Sequence, residues 1–344
     1  QLYKINSFEF YRYEDIIKKE DDAGYDKTAF EKMLEIKGDS DHTKLIDMLT
    51  DLNDYSIGIE DVLKEHFDEE NIVYWMAFQI LMGNVDTQNR NVYLYSPLNS
   101  DIWYFIAWDN DGCLMRSEYE LKNFSDQGSW EKGISNYWGN VLFQRCLKSR
   151  SFREKLNDAI LELREYLNKD MLISKIESYK NVLKPYLYLM PDAEYEPLTS
   201  EQYDQIAASL PDEIEKNYQL YLESLETPMP FFIGVPTIDG DKLKFNWDVS
   251  YDLDAEDITY SVEVARDYLF RDVIYQNTTL TVPEAEMDLP EAGQYFVRVR
   301  ATNTSGKTQD AFDYYVTDEG KYYGMRCFYI TEDSTVEEDD YEEG

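Results

Sequence analysis

The spacing of apolar residues changes once along the chain, near Thr227. Before that point apolar residues recur every three or four positions, which is typical of amphipathic helices; after it they alternate with polar residues, as in half-buried strands. Pro228 and Pro230 follow the change directly. We therefore predict an α+β protein with a mostly helical domain over 1–226 and an all-β sandwich over 227–330.

Short strands interrupt the helices of the first domain. Helices are predicted over 42–52, 59–67, 68–82 and several times between 136 and 226, and a helical pattern also begins near residue 14. Strands are predicted over 34–37, 92–95 and 102–108. The last two should form a β-hairpin, because a short turn containing Pro97 and Asn99 separates them. The helix before Gly83 is apolar on nearly every face, so we expect it to be buried.

Apolar stripes and aromatic residues make up the expected core. The stripe residues are Phe152, Leu156, Ile160, Leu163 and Leu167 in one helix and Leu172, Ile176, Tyr179 and Leu183 in the next. Trp103 and Trp108 should join the aromatic residues of 72–82 in the same core. In the second domain, the alternating residues of one predicted strand are Leu243, Phe245, Trp247 and Val249.

Charge excludes some partners. Acidic residues outnumber lysine plus arginine by 70 to 33, giving a formal net charge of −37. Such a field repels nucleic acid, so we expect none as a partner. A hydrophobic fraction of 43% shows that the chain folds. The acidic end over 331–344 should be a solvated tail.

Cysteine and histidine usage removes several enzyme classes. Cys113, Cys146 and Cys327 lie far apart, so we read them as free thiols. His42 and His66 are flanked by acids, which argues against a zinc site or a histidine-based triad. No apolar run reaches the roughly 20 residues of a membrane span, so we expect no transmembrane segment in this chain. We expect a monomer.

The candidate chemistry lies at one end of the predicted hairpin. Asp86 and Asn91 precede its first strand, and Asp109 follows its second. Because these strand ends meet at the same end of an antiparallel hairpin, the three side chains should converge. Two carboxylates and an amide form an oxygen-only set that suits Mg²⁺ or Mn²⁺.

The order of these residues is that of a protein-kinase catalytic segment. Such a segment has a base-like Asp, a metal-binding Asn five positions on, and a second metal-binding Asp after two strands. Asp86, Asn91 and Asp109 follow this order. The competing interpretation is structural, because Asp and Asn are favoured in turns for backbone reasons alone. Asp111, just before Gly112, is open to the same interpretation.

The first 225 residues resemble the CotH kinase family. The segments that carry the resemblance are 34–37, 81–84, 91–95, 103–111 and, more loosely, 138–145 and 152–153. The family resemblance implies an atypical kinase fold with a helical C-lobe and a hairpin active site. It also implies ATP- and Mg²⁺- or Mn²⁺-dependent phosphorylation of protein Ser or Thr, and export from a bacterium to the cell surface or medium.

The resemblance assigns roles to particular residues. It makes Asp86 the catalytic aspartate and Asp109 a metal ligand, and Asn91 matches the amide ligand of kinases. Asp111 is a further candidate ligand for the same metal. Lys4 and Lys37 are the candidates for contacting the nucleotide. No glycine-rich phosphate loop is present in the sequence. Because 1–5 reads as the middle of a strand, we expect that preceding strands of the N-terminal lobe, and any signal peptide, are missing from it.

The second domain resembles fibronectin type III modules. The segment 289–303 is similar to their F-strand region, with Tyr295 as the corner tyrosine and Trp247 at the B-strand position. Such a module would act as a spacer or docking element. The alternative for the whole chain is a catalytically inactive kinase-like surface protein, which acts in adhesion or binds polysaccharide or protein.

Overall fold

A computed structural model describes residues 1–122 and 127–338. Helices occupy the N-terminal half and sheets the C-terminal half, so the predicted α+β class is confirmed. The described residues divide into two compact units. One comprises 1–122 and 132–221, and the other comprises 127–131 and 222–338.

The first unit is built mainly of helices. They are α1 (Lys27–Met33), α2 (Thr43–Asn53), α3 (Ile59–His66), α4 (Glu69–Met82), α5 (Arg116–Lys122), α6 (Val141–Lys148), α7 (Arg150–Tyr166), α8 (Lys169–Leu187), α9 (Ser200–Ser209) and α10 (Glu213–Glu226), the last of which continues into the second unit. In the described residues, no helix is long and apolar enough to cross a membrane.

A small antiparallel sheet completes the first unit. Its strands are β1 (Leu2–Ile5), β2 (Leu34–Ile36), β3 (Val92–Tyr95) and β4 (Tyr104–Ala107), in the order β2-β1-β3-β4. One face of the sheet is buried, and its side chains are Tyr3, Ile5, Leu34, Val92, Leu94 and Phe105. The opposite face is more accessible and carries the alternate residues of each strand.

Helix α4 positions the sheet and the hairpin. Its N-terminus is capped by Asp68, whose carboxylate accepts a 2.9 Å hydrogen bond from the Asn71 N–H. Its C-terminus is closed by Gly83, which has a left-handed φ of 63°. Trp75 lies between them and stacks on Phe143 at 5.5 Å. The helix is therefore a fixed central element, as its all-apolar pattern predicts.

Two helical expectations were wrong in part. The segment from residue 14 to 26 forms turns rather than a helix, and only Ile17 in it is buried. Its many charged residues and Gly24 give no apolar stripe to bury. In α8 only Leu172 of the predicted stripe is buried, while Tyr179 and Leu183 are 63% and 52% exposed. Helical spacing predicted α8 itself but not its accessibility.

The second unit contains two antiparallel sheets whose strands fit a β-sandwich. The strands are β5 (Thr237–Asp239), β6 (Lys242–Asn246), β7 (Ile258–Ala265), β8 (Val273–Leu280), β9 (Glu284–Asp288), β10 (Gly293–Asn303), β11 (Thr308–Asp310), β12 (Tyr314–Thr317), β13 (Gly320–Tyr323), β14 (Met325–Ile330) and β15 (Val336–Glu338). One sheet has the order β5-β6-β9, and the other β15-β14-β10-β7-β8 with β11 beside β10. Strands β12 and β13 pair separately as a hairpin.

The core of this unit follows the predicted alternation with one exception. Leu243, Phe245 and Trp247 are buried, but Val249 is 72% exposed because β6 has already ended at Asn246. Tyr295 is 2% exposed, and its hydroxyl donates a 2.8 Å hydrogen bond to the carbonyl of Glu291.

The segments at the edges of this unit were not all anticipated. Residues 336–338 form β15 beside β14, so the acidic segment is part of the sheet there rather than a free tail; 339–344 lie outside the described residues. Ser129 accepts a 2.8 Å hydrogen bond from Gln309, although the chain separates them by 180 positions. Cys113, Cys146 and Cys327 are free thiols, as predicted.

Candidate functional site

The hairpin register determines which residues meet at its open end. Val92 pairs with Ala107, so Asn91 and Trp108 are the next residues on either side. Asp109 is the residue directly after Trp108. The backbone of Asn91 is fixed to the neighbouring strand, because its N–H donates a 3.2 Å hydrogen bond to the carbonyl of Ile5. The segments carrying Asn91 and Asp109 therefore lie at the same end of the sheet.

Asp86 and Asn91 are in direct contact. The amide nitrogen of Asn91 donates a 2.5 Å hydrogen bond to Asp86 Oδ2. Arg90 Nε lies 2.6 Å from the other oxygen, Asp86 Oδ1. Because the Asn91 amide nitrogen is used in the bond to Asp86, the amide oxygen of Asn91 is the atom that can ligate a cation. The two partners hold the side chain of Asp86 in one orientation.

Two buried asparagines donate hydrogen bonds to the backbone of the loop over 84–91. Asn136 donates a 3.1 Å hydrogen bond to the carbonyl of Val85. Asn140 donates one of 2.9 Å to the carbonyl of Gln88. Asn136 and Asn140 are 3% and 2% exposed, so both hydrogen bonds reach the loop from the protein interior. Asp86 is thus presented from a supported loop.

Asp109 begins a tight turn that packs against this loop. It caps the short 3₁₀ turn Asn110–Gly112, and its own side chain makes no capping hydrogen bond. A Cβ added to Gly112 would lie 3.0 Å from Asn84 Oδ1 and 3.8 Å from the Cβ of Asp86. A Cβ at this position would press on the Asn84 amide, so Gly112 allows the two carboxylate-bearing segments to approach closely.

A network of side-chain amides connects the same segments. Gln79 donates a 3.1 Å hydrogen bond to Asn110 Oδ1. Asn84 Nδ2 lies 3.1 Å from Gln79 Oε1 and 3.3 Å from Asn110 Oδ1. These three amides are not among the residues that the sequence predicted. Gln79 could have been noticed, because it is a polar residue in an otherwise apolar helical segment.

Two residues of the site have left-handed backbone conformations. Asn91 has φ 56° and Asp109 has φ 55°. Non-glycine residues adopt this region rarely, with Asn and Asp the best tolerated. Such strain persists only where the surrounding structure holds it, and it concentrates at functional sites.

The accessible face of the sheet adjoins the site. By register, Lys4 pairs with Tyr93 on one side and with Glu35 on the other, and Tyr93 pairs with Ile106. Trp108 packs edge-on against Tyr93, with ring centroids 5.0 Å apart. Trp108 is 47% exposed, so the expectation that it belongs to the core was wrong. It lies past the end of β4, where the alternation of faces no longer applies.

The two candidate lysines lie at different positions. Lys4 is central in the sheet, one strand from Tyr93. The N–H of Lys37 donates to the carbonyl of Leu2, at the opposite end of β1 from Ile5 and Asn91. The ammonium of Lys37 pairs with Glu35, and this ion pair raises the pKa of Lys37. Lys37 is thus farther along the sheet from Asp86 than Lys4 is.

The site suits a metal ion only together with further oxygen ligands. In the described parts of the chain, no three His, Cys, Asp or Glu side chains are arranged to hold an ion. Asp86, Asp109 and the Asn91 amide are hard oxygen donors, and Asp111 is exposed in the adjoining turn. Mg²⁺ commonly uses one or two carboxylates plus substrate phosphates and water. The donor set therefore fits a metal–phosphate complex rather than a bare ion.

Cys113 closes the turn but offers no reactive thiolate. Burial raises the pKa of Cys113 to about 12, although its hydrogen bond with Asn84 opposes the shift. The thiol therefore stays protonated at neutral pH, and nucleophilic chemistry at this position is disfavoured.

Comparison with known proteins identifies the first unit. A family model described as CotH kinase protein matches residues 1–221. No curated protein matches the chain. Among solved structures, the surface layer protein SbsC, domains 1–6, aligns at 12% identity and a TM-score of 0.16, covering 95% of this chain. The aligned part is 41% of the SbsC chain. Similarity at this TM-score indicates neither a shared fold nor a shared function.

Proposed function

Because the chain belongs to the CotH kinase protein family, we propose that it is an atypical protein kinase with a kinase-like C-lobe. It transfers the γ-phosphoryl group of ATP to Ser or Thr of a protein, with Mg²⁺ or Mn²⁺. The observation that carries the proposal is the Asp86 carboxylate, bonded to Asn91 at 2.5 Å and packed beside the Asp109 turn.

Each site residue has a role in this reaction. Asp86 orients the acceptor hydroxyl and accepts its proton, and Arg90, with Nε 2.6 Å from Oδ1, holds the carboxylate in place. Asp109 and the Asn91 oxygen would hold the metal, with Asp111 beside them. A metal held there would supply positive charge that offsets the charge of the transferring phosphoryl group. Catalysis then rests on positioning and electrostatics rather than on a covalent intermediate.

The accessible sheet face supplies the nucleotide surface. The edge-on pair of Tyr93 and Trp108 offers an apolar platform for a base. Lys4 neighbours Tyr93 in the sheet register and is the better placed of the two candidate lysines to meet a phosphate. Lys37, already paired with Glu35, is the weaker candidate.

We assign the second unit to a fibronectin type III-like module that spaces or docks the kinase at a cell surface. Support comes from the corner hydrogen bond of Tyr295 to Glu291 and from the buried Trp247. The pairing of a three-stranded with a larger sheet agrees with this assignment. Secretion from a bacterium is part of the same proposal, and the resemblance to the CotH kinase family supports it.

One observation favours an inactive, binding role as the second candidate. Both carboxylate oxygens of Asp86 already have partners, Arg90 and Asn91. An Asp86 that keeps these partners when nucleotide is bound would have less acceptor capacity left for a substrate hydroxyl. The chain would then act as a kinase-like surface protein in adhesion, or in binding polysaccharide or protein.

Labelled phosphate transfer tests the proposal. The 344-residue chain is incubated with Mn²⁺, γ-labelled ATP and casein, beside Asp86→Asn and Asp109→Asn variants. We expect each variant to lose about 100-fold or more of the rate. Asp101→Asn is the matched control, because Asp101 is an exposed acid at the opposite end of the hairpin.

The outcomes separate the two candidates. Labelling that is equal in wild type and Asp109→Asn would overturn the kinase assignment. Binding of Mn²⁺·ATP without any labelling would favour the inactive, binding role. Absence of both binding and labelling would reject the nucleotide site itself.

A further inference from the structure

The amide network beneath the site has a role beyond filling space. We propose that Gln79, Asn84 and Asn110 are positioning residues that set the separation between Asp86 and the metal ligand Asp109. This inference rests on the proposed function, since it concerns the geometry of the same metal–nucleotide site. None of the three side chains needs to touch the substrate.

Asn84 is the centre of the network. Its Nδ2 contacts both Gln79 Oε1 and Asn110 Oδ1, at 3.1 and 3.3 Å. Its Oδ1 accepts a 3.3 Å hydrogen bond from the backbone N–H of Asp86. One side chain, 2% exposed, therefore contacts the Asp86 loop, helix α4 and the Asp109 turn together. A shift of either acidic segment breaks at least one of these bonds.

Gln79 anchors the network to the most rigid element nearby. It is 0% exposed within an apolar helix, so its amide requires partners, and Asn84 and Asn110 supply them. A second tie is made by the backbone, where the Leu114 N–H donates to the Met82 carbonyl at 2.8 Å. The Asp109 turn is thus attached to the end of α4 on both sides.

The backbone of Asp109 explains why the turn needs an anchor. A left-handed residue is costly, and the Asp109 side chain makes no capping hydrogen bond that would stabilise it. The side chain of the adjacent Asn110 instead accepts two side-chain hydrogen bonds, from Gln79 and Asn84. Asn110 therefore holds the turn, and the Asp109 carboxylate is not used to cap it.

Metal-dependent nucleotide binding tests the proposal without measuring catalysis. Calorimetry compares Mn²⁺·ADP with ADP in EDTA for the wild type, Asn110→Ala and Asn110→Asp. We expect Asn110→Ala to weaken Mn²⁺·ADP binding about tenfold, the usual effect of losing an outer-shell partner. Affinity for metal-free ADP should be unchanged. Asn110→Asp keeps an oxygen acceptor for Gln79 and Asn84, so it should restore tight binding.

Asn71→Ala is the matched control. Asn71 also links α4 to the sheet through two hydrogen bonds, with Phe105 N–H at 2.6 Å and the Phe105 carbonyl at 3.1 Å, but at the opposite end of the helix. Its loss should lower the melting temperature without a metal-specific change. If Asn110→Ala does not fold, Gln79→Met is the second variant, because it removes the same anchor with a side chain of similar shape. It should show the same metal-specific loss of affinity, about tenfold, which is the usual effect of losing an outer-shell partner.

The results that would overturn the inference are distinct. Unchanged Mn²⁺·ADP affinity in a folded Asn110→Ala or Gln79→Met variant would reject the positioning role and leave the kinase proposal intact. An equal loss in Asn71→Ala would reduce the role to general stability. A wild type that binds no Mn²⁺·ADP would reject the proposed function and this inference together.

Discussion

Replacing Asp109 by glycine should stabilise the first unit while removing its proposed activity. Asp109 has φ 55° and ψ 59°, is exposed, and makes no capping hydrogen bond. A left-handed conformation costs an L-residue about 1–2 kcal/mol. Glycine avoids that cost but loses about 0.5–1 kcal/mol more backbone entropy on folding. We therefore expect Asp109→Gly to gain about 0.5–1 kcal/mol.

Asp109→Ala is the informative comparison. Alanine keeps the Cβ and therefore the strain, and it removes no capping hydrogen bond because Asp109 makes none. It should be neutral or destabilising by about 0.5 kcal/mol. The difference in stability expected between the Gly and Ala variants isolates backbone strain from loss of the carboxylate, which both variants share. Both variants should lose phosphate transfer under the conditions described for Asp109→Asn.

Urea unfolding followed by tryptophan fluorescence measures the effect. The chain has two units, so each transition is fitted separately as two-state. The sandwich transition is identified as the one that Tyr295→Phe shifts. A loss of stability in Asp109→Gly as large as that in Asp109→Ala would refute the strain argument. The Asp109 carboxylate would then make a stabilising interaction that its geometry does not reveal.

Two further predictions concern stability. Tyr295→Phe removes the 2.8 Å hydrogen bond to Glu291 and should cost the second unit about 0.5–1.5 kcal/mol in urea unfolding, whereas Tyr275→Phe in the same unit should cost less. His42 is buried, with Nδ1 2.7 Å from the Tyr3 hydroxyl, and burial lowers its pKa below the ordinary 6.5. The folded state then binds the proton more weakly than the unfolded chain does. The first unit should therefore lose stability as pH falls below about 6.5, and this loss should be less steep in His42→Gln. Parallel profiles of stability against pH for wild type and variant would contradict this.

The hairpin end of the site could be read from the chain because strand geometry is local. Two short β-rich runs joined by a turn must pair antiparallel, so the residues flanking them share one end. That argument reaches Asn91 and Asp109, and Asp86 follows from its position in the same loop. The same local argument does not place Lys4 and Lys37 relative to Asp86, because their positions depend on how β1 and β2 pair.

The amide network could not be predicted in the same way. Gln79 is 31 positions from Asn110, and nothing in their local patterns links them. Their contact depends on the path of the chain after β4 and on Gly112, which permits the close approach to Asn84. Similarly, helical spacing in α8 does not reveal whether another element covers Leu183, which is 52% exposed.

The sequence alone determined the α+β class, the buried helix α4, the hairpin and the identity of the acidic residues at its open end. These follow from apolar periodicity and turn chemistry, which act over a few residues. Only the tertiary structure decided that Asn84 joins Asp86 to Asn110 and that Trp108 lies exposed. Those features depend on contacts between distant segments, whose packing no local pattern specifies.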